Sequence, residues 1–409
     1  MMTQVQQAPV QGYSHQAFEP VRQAFQQNFI DGLETGASLA IEIDGQRVLD
    51  LWGGHTDATN TQAWGKDTLS IVFSNTKPAT ALCAHRLVQD GMLDLDKPLG
   101  HYWPAFAEGP RRQITPRMLL DHSAGLPALR EKLPHDAAFD WDYMVSRLER
   151  EMPFWEPGTR VGYHGLTFGW LVGELVRRVS GVDLGIYFRR QFAEPLGLDF
   201  WIGLPEEHEH RVAVISAPPA AQAPRNAFEA EIATRPDSIA AQYYANTGGW
   251  RPAGFNSRAG HAAQLGAANG ITNARSLARL YGTLAIGGSR EGASVLDPDV
   301  LDSATRISSA THKDACLCVP TRFAAGFMRE MDNRAVGADS ACIGRDAYGH
   351  VGAGGSVAFA SPSRRMGFAY TMNRMGAGVL LNERADRLIT ATYQVLARLD
   401  QDLKPHSPS

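Results

Sequence analysis

The sequence predicts an α/β protein: an antiparallel sheet built from N- and C-terminal segments, flanked by helices, with a mainly helical domain inserted between them. Two hairpin signals and a change of period between them carry this prediction. Ala37-Ser38-Leu39-Ala40-Ile41-Glu42-Ile43 and Arg47-Val48-Leu49-Asp50-Leu51-Trp52 flank Asp44-Gly45, the dipeptide that a tight hairpin turn favours. Far along the chain, Gly355-Ser356-Val357-Ala358-Phe359-Ala360 and Met366-Gly367-Phe368-Ala369-Tyr370-Thr371 bracket Pro362-Ser363-Arg364-Arg365. Between the hairpins, apolar residues recur mostly at helical spacing, and strands at both ends with helices between point to one sheet assembled from both.

In chain order, residues 16–31 carry Phe18, Val21, Phe25 and Phe29 on one face of an expected helix. After the first hairpin comes a strand, Leu69-Ser70-Ile71-Val72-Phe73. A long helix follows through Leu82, Ala84, Leu87 and Val88, stopped by the cap Asp90-Gly91. Tyr163 to Val179 reads as one helix. From about Leu204 to Gly260 the composition shifts to Ala, Pro and Gly. Pro218-Pro219 and Ala220 to Pro224 there predict an irregular, loop-rich cap over a site. Helices resume at Ala274–Leu284 and close the pattern at Asn382–Leu399. The expected division is a sheet domain from 1–95 and 262–409, with a mainly helical insertion at 96–261 that includes the cap at about 204–260. No internal repeat is visible.

Composition narrows the function classes. The 409 residues are 44% hydrophobic and 20% charged, with 39 Lys+Arg against 43 Asp+Glu. These values suit a soluble globular protein with a large core. A net charge of -4 gives no basic field for a phosphate backbone, so no nucleic-acid partner is expected. No run reaches 18 apolar residues, and Met1-Met2-Thr3-Gln4-Val5-Gln6-Gln7 lacks the marks of a secretory signal; a cytoplasmic protein without a membrane partner is the expectation. Four cysteines make no disulfide framework. Cys83 reads as a small core residue. Cys316, Cys318 and Cys342 lack zinc-knuckle spacing, and His208 and His210 sit in alternating charge that reads as a solvated loop. No metal and no cofactor are expected.

Ser74-Asn75-Thr76-Lys77 is the chain's single Ser-x-x-Lys. Residues three apart share a helix face, so the Lys77 amine can reach the Ser74 hydroxyl. Pro78 is tolerated only in a first turn, which starts the helix near Ser74 and sets its hydroxyl beside free backbone N–H groups. The tetrapeptide alone is a weak signal. Further on stand Leu93-Asp94-Leu95-Asp96-Lys97-Pro98-Leu99, Met118-Leu119-Leu120-Asp121-His122-Ser123-Ala124-Gly125-Leu126-Pro127, Glu156-Pro157-Gly158-Thr159-Arg160-Val161-Gly162-Tyr163 and Gly349-His350-Val351-Gly352-Ala353-Gly354-Gly355. This ordered set resembles the serine beta-lactamase-like superfamily of penicillin-binding-protein fold. Within it the chain is most similar to the class C branch and its family VIII carboxylesterases, over roughly residues 18 to 398.

The resemblance implies Ser74 as acyl-accepting nucleophile, Lys77 as its neighbouring amine, and Tyr163 as the tyrosine of a Tyr-x-Asn element. It sets His350-Val351-Gly352 at the Lys-Thr-Gly element and makes the N–H groups of Ser74 and Ala353 the oxyanion hole. A serine hydroxyl needs an adjacent base, and Lys77 or Tyr163 can serve; the sequence leaves that choice open. Taken singly, Tyr163 and His350 read as packed residues, and Gly352, Gly354 and Gly355 as either a tight turn or a close approach of substrate to backbone. His122 and Ser123 read as structural, since chain neighbours rarely align for proton transfer. Trp201, Tyr243, Tyr244 and Trp250 are candidates for an aromatic wall over the substrate.

Two departures bear on activity. Gly165 replaces the asparagine of Tyr-x-Asn, and His350 replaces the lysine. A largely neutral histidine offers less charge to a substrate carboxylate. Both argue for a carboxylesterase acting on small, rather apolar esters rather than for beta-lactam turnover. An amidase, D-amino-acid peptidase, weak beta-lactamase or acyltransferase on the same fold is the alternative, and a non-catalytic binding protein is the alternative of another class. Oligomeric state is not legible.

Overall fold

A computed structural model of the chain describes residues 10–217 and 226–402. The Met1–Gln7 reading and the Pro218-Pro219 and Ala220–Pro224 part of the expected cap lie outside the described residues. Among the described residues, nine antiparallel strands form the main sheet. Their order is Gln11–Ser14, Gln46–Gly54, Gly36–Ile43, Met366–Met372, Val357–Ser361, Tyr348–Val351, Met328–Arg329, Thr321–Ala324 and Ile307–Thr311. The first hairpin turns through Asp44 and Gly45, both left-handed at φ 51° and 71°, the backbone that two-residue hairpin turns require. Strand Gly36–Ile43 then pairs with Met366–Met372, Ile41 opposite Phe368. The two chain ends thus share one sheet.

Alternation along the central strands sorts side chains to two faces. Leu39, Ile41, Phe359, Phe368 and Tyr370 pack with Val21, Phe25, Leu388 and Ile389 from helices Glu19–Ile30 and Glu383–Asp402. The other face is lined by Ala40, Ala358, Ala360 and Ala369, and it meets helix Ala274–Ala285. Backbones touch there: a Cβ on Gly367 would stand 2.2 Å from the Gly282 nitrogen. This second cluster continues through Leu82 and Leu87 into Phe168, Leu171 and Leu175 of the helical segment.

A small three-stranded sheet positions the start of helix Thr76–Gln89. Ile271–Thr272 lies between Ser70–Ile71 and Phe200–Trp201. The expected strand over Leu69–Phe73 is therefore short, because the chain turns sharply before Ser74. The stretch expected to be irregular carries helices Ala227–Thr234, Ile239–Ala245, Pro252–Phe255 and Arg258–Ala262. Asn226, Ser238 and Ser257 accept N–H groups of the first turns, the capping that starts a helix where propensity alone is weak. Nor is 206–211 a plain solvated loop: Glu209 pairs with Arg258 at 2.6 Å and His261 at 2.7 Å. No helix among the described residues is long and apolar enough to cross a membrane.

Candidate active site

Ser74 sits on a tight turn between strand Ser70–Ile71 and helix Thr76–Gln89. Asn75 and Thr76 donate their N–H groups back to Val72 and Phe73 at 3.1 and 2.9 Å, and Phe73 is held at φ 47°, a region non-glycine residues seldom occupy. Lys77 N–H bonds the Ser74 carbonyl at 3.1 Å, and Pro78 falls in the first turn, where no N–H is needed. The side chains of residues 74 and 77 therefore share one face, with Lys77 Nζ 3.2 Å from Ser74 Oγ.

Lys77 is fully buried. Its Nζ donates to the carbonyls of Gly165 at 2.7 Å and Ala267 at 3.0 Å. It also stands 4.6 Å from the centre of the Tyr163 ring. No carboxylate pairs with it among the described residues, and burial holds its pKa well below the usual lysine value. A neutral amine has two N–H donors and one lone pair. With the two carbonyls taking both of its donors, a neutral amine would turn its lone pair toward Ser74 Oγ, 3.2 Å away. Segment Gly266–Gly270 delivers the second carbonyl. It is tied to the helix start by Thr80 Oγ1 donating to Gly266 at 2.7 Å and by Gly270 N–H donating to Thr76 Oγ1 at 2.7 Å.

Tyr163 is brought beside the Ser74–Lys77 pair, its ring under Lys77 Nζ. It does not belong to the helix expected over Tyr163–Val179, which begins at Thr167. A buried carboxylate takes its backbone instead: Asp314 accepts the Tyr163 N–H at 3.0 Å, together with those of Cys316 and Leu317 at 2.8 and 2.9 Å and the Thr321 hydroxyl at 3.2 Å. The ring stacks on Phe323 with centroids 6.0 Å apart and lies 4.9 Å from His122. Burial pushes the phenol pKa well up. His122 and Ser123 are structural: His122 Nδ1 accepts the His164 N–H at 3.2 Å, and Ser123 donates to Asp121 at 2.6 Å. His164 is locked too, with Nδ1–H on Gly162 O at 2.7 Å and Nε2 accepting Leu126 N–H at 2.9 Å.

His350 lies on strand Tyr348–Val351, its ring 5.8 Å from that of Tyr163. Its Nδ1–H donates to the Val351 carbonyl at 2.7 Å, which leaves Nε2 as a buried lone pair with no partner among the described residues. Burial, then Lys77, lowers its pKa to about 3. The strand runs into the Gly352–Gly355 turn, which abuts the Ser74 turn. A Cβ on Gly352 would be 2.5 Å from Val72 O, so only glycine permits this approach. Asn75 Nδ2 bridges Val72 O and Ser356 Oγ at 3.2 and 3.1 Å. The N–H groups of Ser74 and Ala353, on these two joined turns, have no partner among the described residues. Arg384 and Asn382 donate to the Gly354 carbonyl at 2.8 and 2.9 Å.

The aromatic residues separate. Tyr243 comes to the site, its ring edge-on to Tyr163 at 6.3 Å. Trp201 does not: it packs on His208 and Arg189 and donates to Asp199. Tyr244, 47% exposed, lies against Phe228 and Arg251. Trp250 is a core residue between Phe139 and Phe255, reaching Phe73 only through Phe255. Asp314, Ala267, Ser356, Asn382 and Arg384 were not foreseen. Only Asp314 carried a local signal, an aspartate able to accept N–H groups two and three residues on.

The chain matches the family described as Beta-lactamase over residues 22–391. It belongs to the beta-lactamase family. Among curated relatives, it is 33% identical to the esterase/beta-lactamase LipL of Mycobacterium tuberculosis, over 91% of this chain and 85% of that protein. Among solved structures, it superposes on a family VIII carboxylesterase with TM-score 0.84 at 34% identity, and on a penicillin-binding-protein homologue from Caulobacter crescentus with TM-score 0.84 at 36% identity. Both cover 95% of this chain and 100% of the other. This beta-lactamase-family chain is a serine hydrolase by fold and kinship, as its motif order predicts.

Proposed function

We propose that this protein is a serine carboxylesterase that cleaves small, uncharged carboxylic esters through an acyl-Ser74 intermediate. One observation carries the reading: Lys77, Tyr163 and His350, gathered at Ser74, are all buried, and burial favours the neutral form of each. Lys77 and His122 lie well below their usual values, His164 and His350 fall to about 3, and Tyr163 is pushed up. Such a site presents no cation to a substrate carboxylate and suits a neutral ester. Relatives whose names include esterase activity support the same class.

Lys77 takes the Ser74 proton as Oγ attacks the ester carbonyl, and the N–H groups of Ser74 and Ala353 stabilise the oxyanion. The new Lys77 ammonium returns its proton through the Tyr163 hydroxyl to the departing alcohol. The amine, neutral again, draws one proton from the water that attacks the acyl carbonyl and passes it to Ser74 Oγ as the acid leaves, while the His350 Nε2 lone pair accepts a hydrogen bond from that water's other O–H. No metal or cofactor enters the scheme. All four cysteines are free thiols, in keeping with the reducing cytoplasm as the compartment.

Turnover of p-nitrophenyl butyrate, nitrocefin and an amide is compared on one preparation, with intact mass after fluorophosphonate treatment. The expected result is ester turnover well above the other two and one adduct on Ser74. Equal nitrocefin or amide turnover would sink the ester assignment. Absence of the adduct would favour a non-catalytic binding protein.

A further inference from the structure

Gly165 carries no side chain, and the space beside it is filled from a distant part of the chain. A Cβ built on Gly165 would lie 2.1 Å from Tyr243 Cε2 and 2.5 Å from its hydroxyl oxygen. Tyr243 belongs to helix Ile239–Ala245, whose start is fixed by Ser238 Oγ accepting the Ala241 N–H at 3.2 Å. Its ring is held between Tyr163 and Phe228, both at 6.3 Å. Gly165, whose Cβ position Tyr243 fills, also supplies the carbonyl that anchors Lys77.

The geometry points to Tyr243 as the specificity-determining residue that limits acyl-chain size, occupying the volume a side chain at position 165 would take. This rests on Ser74 being the nucleophile. The alcohol of an ester departs to solvent, whereas the acyl group stays bound to Ser74 Oγ through deacylation. Tyr243, packed on Tyr163 and in the Gly165 space, is placed to meet the acyl chain that stays on the enzyme. A rigid ring with two torsions, packed on two other rings, makes a wall of fixed depth. Removing it leaves a void on the order of a phenol ring open to a longer chain.

Two measurements test this. In thermal unfolding, Gly165→Ala is compared in the native and Tyr243→Ala backgrounds. The Cβ clash should lower Tm by about 5 °C or more in the first and by less than half as much in the second. Equal losses would overturn the occupancy. In the second, Ser74 labelling by ethyl and octyl fluorophosphonates is followed by intact mass in wild type, Tyr243→Ala and Tyr243→Phe. The octyl-to-ethyl rate ratio should rise about tenfold or more in Tyr243→Ala and stay near wild type in Tyr243→Phe, because the ring sets the depth. An unchanged ratio in Tyr243→Ala would overturn the size limit. Labelling without turnover of any ester would sink the esterase reading and leave this one standing. A wild type labelled by neither probe would sink both.

Discussion

Arg384, in the first turn of the last helix, donates at 2.8 Å to the carbonyl of Gly354, the residue after the proposed oxyanion donor Ala353. The same guanidinium pairs with the buried Glu34 carboxylate at 3.0 Å. Taking one partner from a buried ion pair strands the other charge, at a cost of about 3–5 kcal/mol. Arg384→Met should lose about that much in urea unfolding. It should also lower kcat more than it raises KM, since the turn loses an anchor while the acyl pocket is untouched. A variant as stable and as active as wild type would show that the contact is idle.

Burial of Lys77 bears on the pH profile. Because its folded pKa is depressed, the free amine is present at pH values where an exposed lysine, near 10.4, would still be an ammonium. kcat/KM should therefore level off well below pH 10. A tenfold rise per pH unit continuing to pH 10 would mean that Lys77 is charged in the resting site. Lys77→Ala should lower kcat by about 10²–10⁴-fold, the range for loss of a positioned general base.

Asp314 touches no proposed reacting atom, yet it fixes the backbone of Tyr163. Asp314→Ala would orphan three N–H groups and the Thr321 hydroxyl, each worth about 1–3 kcal/mol if left without water. A large fall in unfolding free energy is expected, together with a fall in kcat at nearly constant KM. Circular dichroism and steady-state kinetics on one preparation would check both.

His164 should make the fold acid-sensitive. Its Nε2 accepts an N–H, so protonation there would set two donors against each other. The folded pKa of about 3 lies below the unfolded value near 6.5. Its contribution to stability is thus complete above about pH 6.5 and is lost progressively as pH falls toward 3. Tm should drop between pH 7.5 and pH 5, and less steeply in His164→Gln. Parallel pH dependence in the two proteins would exclude His164 as a source.

The sheet and the Ser74–Lys77 pair were legible because their determinants are local: a turn dipeptide, an alternating strand, two residues one helical turn apart. The motif order further supplied the family. What stayed hidden depends on partners far apart in sequence. Asp314 meets Tyr163 across 151 residues, and Arg384 meets Glu34 across 350. Nothing near Tyr163 says that a distant carboxylate will hold it out of a helix. Nor does anything near Gly165 distinguish Tyr243, which reaches the site, from its chain neighbour Tyr244, which faces outward. The alanine-rich helices between Asn226 and Ala262 were missed because their pattern is weak and their starts depend on single capping side chains.

Phe73 holds a left-handed backbone immediately before Ser74 while its ring packs edge-on against Phe255 at 5.4 Å. This sets two demands on position 73 that no single replacement meets. Glycine would adopt the backbone freely, sparing about 1–2 kcal/mol of torsional cost, but would give up the ring and leave the hydroxyl to wander. Leucine or isoleucine would keep some apolar contact and resist the torsion, and proline cannot reach a positive φ at all. A library randomised at this codon should return almost exclusively aromatic residues, whether selected for turnover or for heat resistance, because losing the buried ring outweighs the torsional saving.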